Sequence, residues 1–225
     1  MAIYDTGVPE QLMTGMRLAR GAIARGELVV IPTDTVYGVA ADAFSPEAVQ
    51  RLLDAKGRDR TAPPPVLVPG VATLDALADP IPDEVRALVE EFWPGGLTVI
   101  LRARAMLDWD LGETRGTVAL RMPSDKVALE LLAETGPLAV SSANLTGQPA
   151  ALTAAEAQAM LGESVAVYLE AGRAGASYPD AAAHTGSTIV DATNLEHPDG
   201  RLRIVRHGVV PDEEIIRVVG ADRCA

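Results

Sequence analysis

The sequence predicts an α/β fold in which helices flank a twisted mixed sheet. Short apolar runs alternate with segments of helical periodicity through much of the chain, and this alternation is typical of helices packed on a sheet. Towards the end of the sequence, the apolar runs at 165–169, 187–192 and 201–206 follow one another without helices between all of them, so we expect a mixed sheet. Apolar residues make up 48% of the 225 residues, which is enough to build a core, and we assign residues 1–225 to one domain.

The predicted helices begin and end at residues that favour helix termini. Ser45 precedes a proline and fits the N-cap of a helix that stops at Gly57. Thr153 and Glu156 have the spacing of a capping box, and we expect Ser124 to cap another helix. Helices are thereby predicted at 9–25, 46–56, 83–92, 124–134 and 153–161.

The predicted strands are short apolar runs bounded by turn residues. The first of them, "ELVVI" at 27–31, is followed by a proline that ends it. The segment "PDEEIIRVV" at 211–219 fits either a helix or a strand. Further strands are predicted at 66–68, 97–103, 117–122, 137–140, 165–169, 187–192 and 201–206.

The charge balance restricts the partners of this chain. Its formal net charge is −12, whereas affinity for nucleic acid comes mainly from cations that neutralise phosphates. An anionic ligand would therefore have to be held by a local cluster of cations.

Several common types of site are absent from the sequence. It has no G-x-x-x-x-G-K-[ST] phosphate loop, no G-x-G-x-x-G after a strand and no G-x-S-x-G nucleophile elbow. The three histidines lack metal-site spacing and are expected at the surface, and the single cysteine, Cys224, excludes an internal disulfide. No apolar run approaches the ~20 residues that span a bilayer, and the N-terminus lacks a signal-peptide pattern, so we expect a cytoplasmic protein.

The first candidate loop, "IPTDTVYG" at 31–38, follows a predicted buried strand. Thr33, Asp34, Thr35 and Tyr37 supply hydroxyls and a carboxylate at the end of that strand, where open α/β sheets bind ligands. The alternative is a turn whose hydroxyls bind its own backbone, and both interpretations stay open at this point.

The second candidate is the pair of cations Lys56 and Arg58, at the end of a predicted helix. A cation in the last turn also favours the helix dipole, which would explain Lys56 without any ligand. Arg58 lies beyond the helix stop and is not placed to interact with the dipole. Asp54 and Asp59 could pair with these cations, which would weaken an anion site.

The third candidate loop is "VSSANLTG" at 140–147, again after an apolar strand. Ser142, Asn144 and Thr146 are small polar side chains able to bind phosphate or ribose alongside backbone N–H groups. The alternative is an ordinary loop that leads into the helix at 153–161.

Sheet topology could bring these three loops into one pocket. Arg121, at the end of a predicted strand, and one of Arg201, Arg203 and Arg206 would add further cations. Because side chains alternate along a strand, Arg201 and Arg203 are expected on one face and Arg206 on the other. Such a pocket would suit a polyphosphate together with a carboxylate.

The motifs of these loops resemble those of the YrdC-like threonylcarbamoyl-AMP synthases over residues 10–210. The matching segments, in order, are "IPTDTVYGVAADAF", "AKGR", "FWPGGLTVIL", "TVALRMPSD", "PLAVSSANLTGQP", "STIVD" and "RIVRHG". The resemblance implies the YrdC-like fold, with a central ligand cavity, in its short, single-domain bacterial form. A longer form adds a C-terminal domain, which we do not expect here.

The activity that the resemblance implies is that of a nucleotidyltransferase. It would join L-threonine, bicarbonate and ATP into L-threonylcarbamoyl-AMP and release pyrophosphate, with Mg²⁺ bound mostly through the phosphates of ATP and water. Downstream enzymes would transfer the threonylcarbamoyl group to the adenosine next to a tRNA anticodon. We expect weak or no direct tRNA binding and no membrane association. The alternative is a YrdC-fold nucleotide- or RNA-binding protein, including a regulatory one, without synthase activity.

The resemblance also implies roles for individual residues, carried over by position. The catalytic residues around the nucleotide phosphates are expected to be Lys56, Arg58, Ser142 and Asn144. ATP is expected to contact the same four residues and, in addition, Thr117 and Arg206. Threonine is expected to contact Thr35, Arg121 and Ser187, with the guanidinium pairing its carboxylate. No protein residue is expected to ligate a metal, although Asp34 is a candidate for an indirect contact with Mg²⁺.

The chain departs from the family beside its K-x-R motif. Where the family reads K-x-R-P-x-x-x-P-L, Asp59 replaces the first proline and Pro64 replaces the leucine. Leu67 lies where some members have histidine, and it cannot hydrogen-bond threonine. Ala62 and Ala150 replace polar residues that reach the nucleotide in some members.

Two further segments are interpreted more simply. Arg60 matches no motif of the family and is expected to be solvated. Residues 170–186, rich in glycine and alanine, fit either a lid over the site or an idle surface loop.

Overall fold

Helices and strands alternate along the chain, and the computed structural model describes them for residues 2–178 and 185–225. The strands in this part of the chain are β1 (Ile3–Asp5), β2 (Val29–Ile31), β3 (Gly38–Asp42), β4 (Val66–Leu67), β5 (Leu97–Arg102), β6 (Thr117–Arg121), β7 (Leu138–Ser142), β8 (Val167–Glu170), β9 (Thr188–Asp191) and β10 (Arg203–Arg206). The helices are α1 (Pro9–Ala24), α2 (Pro46–Lys56), α3 (Ala72–Leu77), α4 (Asp83–Phe92), α5 (Lys126–Thr135), α6 (Ala154–Leu161) and α7 (Asp212–Val219).

The described strands form one ten-stranded sheet in the order β1-β8-β2-β3-β7-β4-β6-β5-β9-β10. Strand β8 is parallel to β1 and β2, β4 is parallel to β6, and β5 is parallel to β9. The other neighbouring pairs are antiparallel. The sheet is therefore mixed, and the predicted fold class is confirmed.

Helices cover both faces of the sheet because the inner strands are apolar on both sides. In β2, Val29 and Ile31 pack in a cluster with α1 and α5, whereas Val30 packs in another with α2 and α6. A third cluster joins α3, α4 and α7 to β5 and β6. No helix in the described part of the chain has both the length and the apolar character that a membrane crossing requires.

Most predicted helix termini are confirmed by their capping bonds. The Ser45 side chain accepts a hydrogen bond from the Ala48 N–H at 3.2 Å, and Gly57 ends α2 in the left-handed region at φ 61°. The Thr153 side chain accepts from the Glu156 N–H at 3.2 Å. The carboxylate of Glu156 accepts from Leu152, one residue before the expected partner, so the capping box is closed in an altered form.

The prediction that Ser124 caps a helix is wrong by one residue. Asp125 is the N-cap of α5, and its carboxylate accepts from the Ala128 N–H at 3.0 Å. The backbone N–H of Ser124 donates instead to Asp34 Oδ1 at 2.9 Å. The C-terminal segment that fitted a helix or a strand forms α7.

Among the helices and strands listed above for the described residues, the sequence patterns gave no sign of β1, β3 and α3. Strand β3 is the most important of these, because it lies between β2 and β7 and aligns the ends of two candidate loops. Its residues, "GVAAD", are mostly small and have weak intrinsic strand propensity, so pairing with both neighbours decides its conformation.

The register of β3 brings the first and third candidate loops together. Gly38 is opposite Ile31 on one side and Ser142 on the other. A Cβ atom on Gly38 would lie 2.5 Å from Val140 Cγ1, so any larger residue here would have to displace the Val140 side chain. The two polar loops therefore meet at one place in the sheet.

Candidate active site

A cavity of about 480 Å³ lies where the candidate loops meet, a volume within the ~300–1,000 Å³ usual for small-molecule sites. Its polar lining consists of Thr33, Thr35, Arg58, Thr98, Arg121, Ser141, Ser142, Thr185, Ser187, Arg206 and His207. Its remaining lining consists of Val36, Gly38, Pro63, Pro65, Leu67, Val140, Ala150, Gly186 and Ile189. All three candidate loops contribute, so the structure brings them into one pocket as expected.

Most of the predicted site residues line this cavity, although their individual roles stay predictions. Those in the lining are Thr35, Arg58, Arg121, Ser142, Ser187 and Arg206. Those predicted but outside the lining are Lys56, Thr117 and Asn144.

Arg121 is a buried cation whose side chain is held on several sides. Its Nε donates to the carbonyl oxygen of Gly95 at 2.9 Å, and its Nη1 donates to Thr35 Oγ1 at 2.9 Å. Its Nη2 lies 2.8 Å from Asp34 Oδ1, which makes an ion pair. The N–H bonds of Nη2 do not point well at this oxygen, however, and this buried nitrogen has no hydrogen-bond partner among the described residues. Arg121 lines the cavity, so its positive charge is available to a ligand there.

Asp34 is a buried carboxylate with protein partners at both oxygens. Oδ1 accepts from the Ser124 N–H and faces Arg121, and Oδ2 accepts from the Tyr178 hydroxyl at 3.0 Å. These contacts engage Asp34 in holding Arg121, and Asp34 does not line the cavity. The geometry gives no support to an indirect contact with Mg²⁺.

The loop between β2 and β3 was expected either to face a ligand or to bind its own backbone, and different residues of it do each. The Thr33 hydroxyl donates to the carbonyl oxygen of Val36 at 2.6 Å, as expected for a turn that binds its own backbone. The Thr35 hydroxyl accepts from Arg121 in the cavity wall. Tyr37 is fully buried away from the cavity, with its hydroxyl 2.7 Å from Glu170 Oε1.

Arg206 and Ser187 form a second cationic group in the wall. Arg206 donates from Nε to the Ser187 carbonyl oxygen at 2.9 Å and from Nη2 to Ser187 Oγ at 2.8 Å. Burial lowers the pKa of the Arg206 guanidinium, and the positive charge of Arg121 acts in the same direction. An anionic ligand between these two guanidiniums would relieve their repulsion.

A bulge decides which arginine of the β10 region enters the cavity. The pairing of β10 with β9 shifts register between Ile204 and Arg206. Arg206 lines the cavity, whereas Arg203 is outside the lining and pairs with Asp191 at 3.1 Å. Arg201 is exposed and is not in the lining, so one arginine of the three contributes, as expected.

Arg58 enters the cavity from the loop beyond Gly57. Its Nη1 donates to Ser141 Oγ at 3.3 Å, a long hydrogen bond. The acidic residues that could have paired with it have other partners. Asp54 accepts from Gln50 at 2.8 Å, and Asp59 accepts from the Thr61 N–H at 2.9 Å. The positive charge of Arg58 therefore remains available to a ligand.

Lys56 holds the third loop and does not line the cavity. Its ammonium is buried, at 1% exposure of the residue, and donates to the carbonyl oxygens of Ser142 and of Asn144, the latter at 2.6 Å. Its own carbonyl oxygen accepts from the Thr146 N–H at 3.0 Å. Burial lowers the pKa of Lys56 from 10.5 to about 8, and the charge of Arg58 adds to this shift. In this geometry Lys56 positions the loop through its hydrogen bonds to the backbone. The ammonium is not placed for direct contact with a phosphate in the cavity, and the helix dipole does not account for these bonds.

Asn144 and Thr117 are also placed outside the lining. Asn144 Nδ2 donates to the carbonyl oxygens of Leu145 and Gln148, each at 2.8 Å. Its buried Oδ1 has no partner among the described residues and is an acceptor for a water or a ligand donor. Thr117 Oγ1 donates to the carbonyl oxygen of Thr114 at 2.8 Å, at the start of β6.

Sequence analysis missed several residues of the lining. Thr98 is a polar residue in the apolar run of β5, and its buried hydroxyl lies 2.8 Å from Ser187 Oγ. A single polar residue in an apolar strand can indicate a site, so Thr98 could have been found from the sequence. Ser141 could also have been found, because it lies in the third candidate loop. His207 is exposed as expected, and it also lines the cavity, with its Nδ1 2.7 Å from Asp212 Oδ2. His197 is exposed as expected, and His184 lies outside the described residues.

The departures from the family pattern have a structural explanation in part. Asp59 replaces a proline, and its carboxylate accepts from both the backbone and the hydroxyl of Thr61, which stabilises the turn in another way. Leu67 and Ala150 line the cavity with apolar surface. Arg60 is exposed as expected, but its guanidinium pairs with Asp110. The candidate lid at 170–186 lies partly outside the described residues.

The mixed sheet and its cavity, lined by arginines and hydroxyls, define an α/β domain whose cavity has the charge to suit small anions. The chain belongs to the Sua5, YciO and YrdC family, whose sequence profile, described as telomere recombination, matches residues 21–208. The resemblance seen in the motifs is thereby confirmed.

Relatives of this chain are named threonylcarbamoyl-AMP synthases. A Mycobacterium tuberculosis protein provisionally given that name is 47% identical over 219 residues, which are 97% of this chain and 95% of that protein. The Bacillus subtilis threonylcarbamoyl-AMP synthase is 33% identical over 204 residues, 90% of this chain and 56% of that protein.

A solved structure of the family contains an amino acid. Pyrococcus abyssi Sua5 complexed with L-threonine superposes with a TM-score of 0.84 and 31% identity. The match covers 100% of this chain and 63% of the Pyrococcus chain, so this chain spans somewhat less than two thirds of that protein.

Proposed function

We propose that this chain is an L-threonylcarbamoyl-AMP synthase, a nucleotidyltransferase that joins L-threonine, bicarbonate and ATP and releases pyrophosphate. The observation that carries the proposal is the likeness of the whole chain to the threonine-bound Pyrococcus structure. It is supported by a cavity that combines a buried arginine, two further arginines and several hydroxyls.

The Arg121 side of the cavity suits the amino acid. Arg121 lines this side, and its guanidinium charge matches a substrate carboxylate. The hydroxyls of Thr35 and Ser187 lie in the same wall and can bind the polar groups of threonine. The apolar side chains of Val140 and Ile189 give its methyl group a place to pack.

The Arg58 side of the cavity suits the triphosphate. Arg58 has one long hydrogen bond to the protein, and Ser141 and Ser142 line the wall beside it. Lys56 acts indirectly in this proposal, because it holds the carbonyl oxygens of the loop that carries Ser142. Its positive charge, two residues from Arg58, also adds to the potential at the phosphates.

The chemistry needs alignment of anions more than a covalent nucleophile. The threonine amine attacks the carbon of bicarbonate, which yields a carbamate and water. A carbamate oxygen then attacks the α-phosphorus of ATP, and pyrophosphate leaves. Because the carbamate and the triphosphate repel each other, fixed cations on both sides of the cavity lower the barrier by positioning and charge stabilisation.

Mg²⁺ would enter this site with ATP. The described residues contain no group of three acidic, histidine or cysteine side chains able to hold a metal ion, and Asp34 is engaged by Arg121 and Tyr178. Phosphate oxygens and water are therefore its expected ligands. Bound Mg²⁺ would shield charge on the phosphates and favour departure of pyrophosphate.

The product is a reactive mixed anhydride that must be passed on. We propose that downstream enzymes transfer its threonylcarbamoyl group to the adenosine next to a tRNA anticodon, in the cytoplasm. The net charge of −12 argues against strong binding of tRNA by this chain itself.

Pyrophosphate release tests the reaction directly. Purified protein with ATP and Mg²⁺ is supplied with L-threonine, with isotopically labelled bicarbonate, with both, or with neither. We expect pyrophosphate and a labelled threonylcarbamoyl-AMP, detected by mass spectrometry, in the complete mixture alone. The adenylate must carry the label, because its carbonyl carbon comes from bicarbonate.

Two outcomes would contradict the proposal. Pyrophosphate release that does not depend on threonine would indicate another nucleotidyl transfer. Nucleotide binding without any release would favour the alternative of a binding protein with the same fold.

A further inference from the structure

The buried hydroxyl of Tyr178 fixes a carboxylate that faces the cavity arginine. Tyr178 donates to Asp34 Oδ2 at 3.0 Å, and the Ser124 N–H donates to Oδ1 at 2.9 Å. Asp34 itself is 7% exposed, so neither oxygen has much access to water. These two donors together set the rotation of the carboxylate.

This rotation determines what Arg121 can offer a ligand. Asp34 Oδ1 lies 2.8 Å from Arg121 Nη2 but off the direction of its N–H bonds. Asp34 thereby balances the charge of Arg121 and holds the buried Nη2 side of its guanidinium. The other donor nitrogens are engaged by Gly95 and Thr35.

The glycines of the "WPGG" turn make room for Tyr178. A Cβ atom on Gly96 would lie 3.1 Å from the Tyr178 hydroxyl oxygen, and one on Gly95 would lie 3.3 Å from it. Burial raises the pKa of Tyr178 to about 12, and the charge of Asp34 acts in the same direction. The hydroxyl therefore stays protonated near neutral pH and remains a donor to Asp34.

We propose that Tyr178 is a positioning residue for the amino-acid substrate, because its hydroxyl fixes Asp34, and Asp34 holds the guanidinium of Arg121 in the orientation that the substrate carboxylate meets. This role rests on the proposed function, in which Arg121 binds the carboxylate of L-threonine. Tyr178 does not line the cavity, so it acts through Asp34 and Arg121.

Loss of the hydroxyl would redirect Asp34. Without Tyr178, Asp34 Oδ2 would be a buried acceptor with no partner, which is costly for a charged group. Rotation of the carboxylate towards another donor would draw Oδ1 away from Arg121 Nη2, which now lies 2.8 Å from it. The guanidinium would then lose its fixed orientation, and the substrate carboxylate would meet a less well positioned arginine.

The test compares Tyr178→Phe with Tyr168→Phe. Tyr168 is a matched control, because its buried hydroxyl also makes one hydrogen bond, to the carbonyl oxygen of Gly162 at 2.8 Å, and it does not line the cavity. Calorimetry on the full chain gives the affinities for L-threonine and for ATP, and turnover gives KM and kcat.

We expect Tyr178→Phe to weaken L-threonine binding about tenfold, the scale of one hydrogen bond to a charged group. KM for threonine should rise in parallel. The affinity for ATP and kcat at saturating threonine should stay within about twofold of the unaltered protein, because the change is confined to one subsite. Tyr168→Phe should leave both affinities within the same margin.

The outcomes separate this role from the proposed function. If the unaltered protein binds no L-threonine, the proposed function fails and the role of Tyr178 fails with it. If the unaltered protein binds L-threonine and Tyr178→Phe binds it equally well, the proposed function stands and the positioning role is wrong. A loss of threonine and ATP binding together, or an equal loss in Tyr168→Phe, indicates a general structural effect and also refutes the role.

Discussion

The two cationic sides of the cavity differ in how much of their hydrogen-bonding capacity the protein itself uses. Arg121 is 6% exposed and has protein oxygens within 2.9 Å of three of its nitrogens. Arg58 is half-buried and makes one hydrogen bond of 3.3 Å. The Arg121 guanidinium is therefore fixed in the core, whereas the Arg58 guanidinium is held mainly by the loop that carries it.

This difference suits the two ligands that we assign to the two sides of the cavity. A small amino acid offers few contacts, so a preorganised arginine saves the cost of ordering the side chain on binding. A triphosphate offers many acceptors and brings its own Mg²⁺, so it can order a less constrained arginine. We therefore expect a substitution at Arg121 to reduce both the stability of the protein and threonine binding. A substitution at Arg58 should reduce ATP binding with little effect on stability.

The largest expected effect is a contrast between Arg121→Met and Arg58→Ala. Arg121→Met leaves Asp34 buried without its counter-charge, which should cost ~3–5 kcal/mol of unfolding free energy and abolish threonine binding. Arg58→Ala should weaken ATP binding by about tenfold or more and change the unfolding free energy by less than ~0.5 kcal/mol. Urea denaturation and calorimetry measure the two quantities.

Two further variants control this contrast. Arg121→Lys keeps the charge, so it should recover part of the stability if the methionine variant does not fold. Arg60→Ala removes a neighbouring exposed cation that pairs with Asp110, and its effect on ATP affinity should be below about threefold. Equal losses of stability in Arg121→Met and Arg58→Ala would show that the two sides do not differ.

An intermediate effect is expected from pH, through Lys56. Its pKa of about 8 in the folded protein lies below the ordinary 10.5, so between these values the unfolded chain holds the extra proton. The contribution of Lys56 to the unfolding free energy should therefore rise with pH in this window. ATP affinity should change in the opposite direction, by up to about tenfold, because the positive charge near the phosphates is lost.

Lys126→Ala is the control for this pH dependence, because the sequence contains no lysine besides Lys56 and Lys126. Its ATP affinity, measured by calorimetry from pH 7 to 9.5 at constant ionic strength, should follow the profile of the unaltered protein. A flat profile in the unaltered protein would mean that Lys56 serves the loop alone and contributes no charge to the site.

The smallest expected effect concerns the loop that carries Arg58. The Glu113 N–H donates to the carbonyl oxygen of Arg60 at 2.8 Å, and a Cβ atom on Gly112 would lie 2.7 Å from that oxygen. Gly112→Ala should displace this contact and weaken ATP binding by about threefold, while threonine binding is kept. Calorimetry with each ligand measures both effects.

Gly116→Ala separates the displaced contact from backbone strain. Both glycines have positive φ, 103° at Gly112 and 77° at Gly116, but nothing lies within 4 Å of a Cβ atom on Gly116. Each alanine should cost roughly 1 kcal/mol of stability, and Gly112→Ala alone should affect ATP. An equal effect of both variants on ATP would refute the proposed support of the Arg58 loop.

Local sequence signals predicted much of the fold and identified most of the polar residues that line the cavity. Ser45 and Gly57 were readable because capping depends on a few neighbouring residues. The polar loops were readable because they follow apolar strands, and the family motifs connected them. Arg206 was found as one of three arginines, although the bulge that selects it was not visible in the sequence.

Features that depend on distant partners could not be predicted in the same way. The sequence does not show that the Lys56 ammonium turns to backbone carbonyl oxygens of β7 and the following loop. Strand β3 has weak propensity and forms because it has partners on both sides. The support of Asp34 by Tyr178 spans 144 residues, and no local pattern records such a contact.

The bonds of Lys56 also have a consequence for the order in which the chain acquires its shape. Lys56 and Asn144 lie 88 residues apart, and Arg121 lies 86 residues from Thr35. Contacts of such high sequence separation form after local helices, because closing long segments is entropically costly. A ribosome that adds roughly 5–20 residues per second needs several seconds to synthesise the segment between Lys56 and Asn144. Until that segment has been made, the Lys56 ammonium lacks the carbonyl oxygens of Ser142 and Asn144 as partners, and the cavity wall is incomplete.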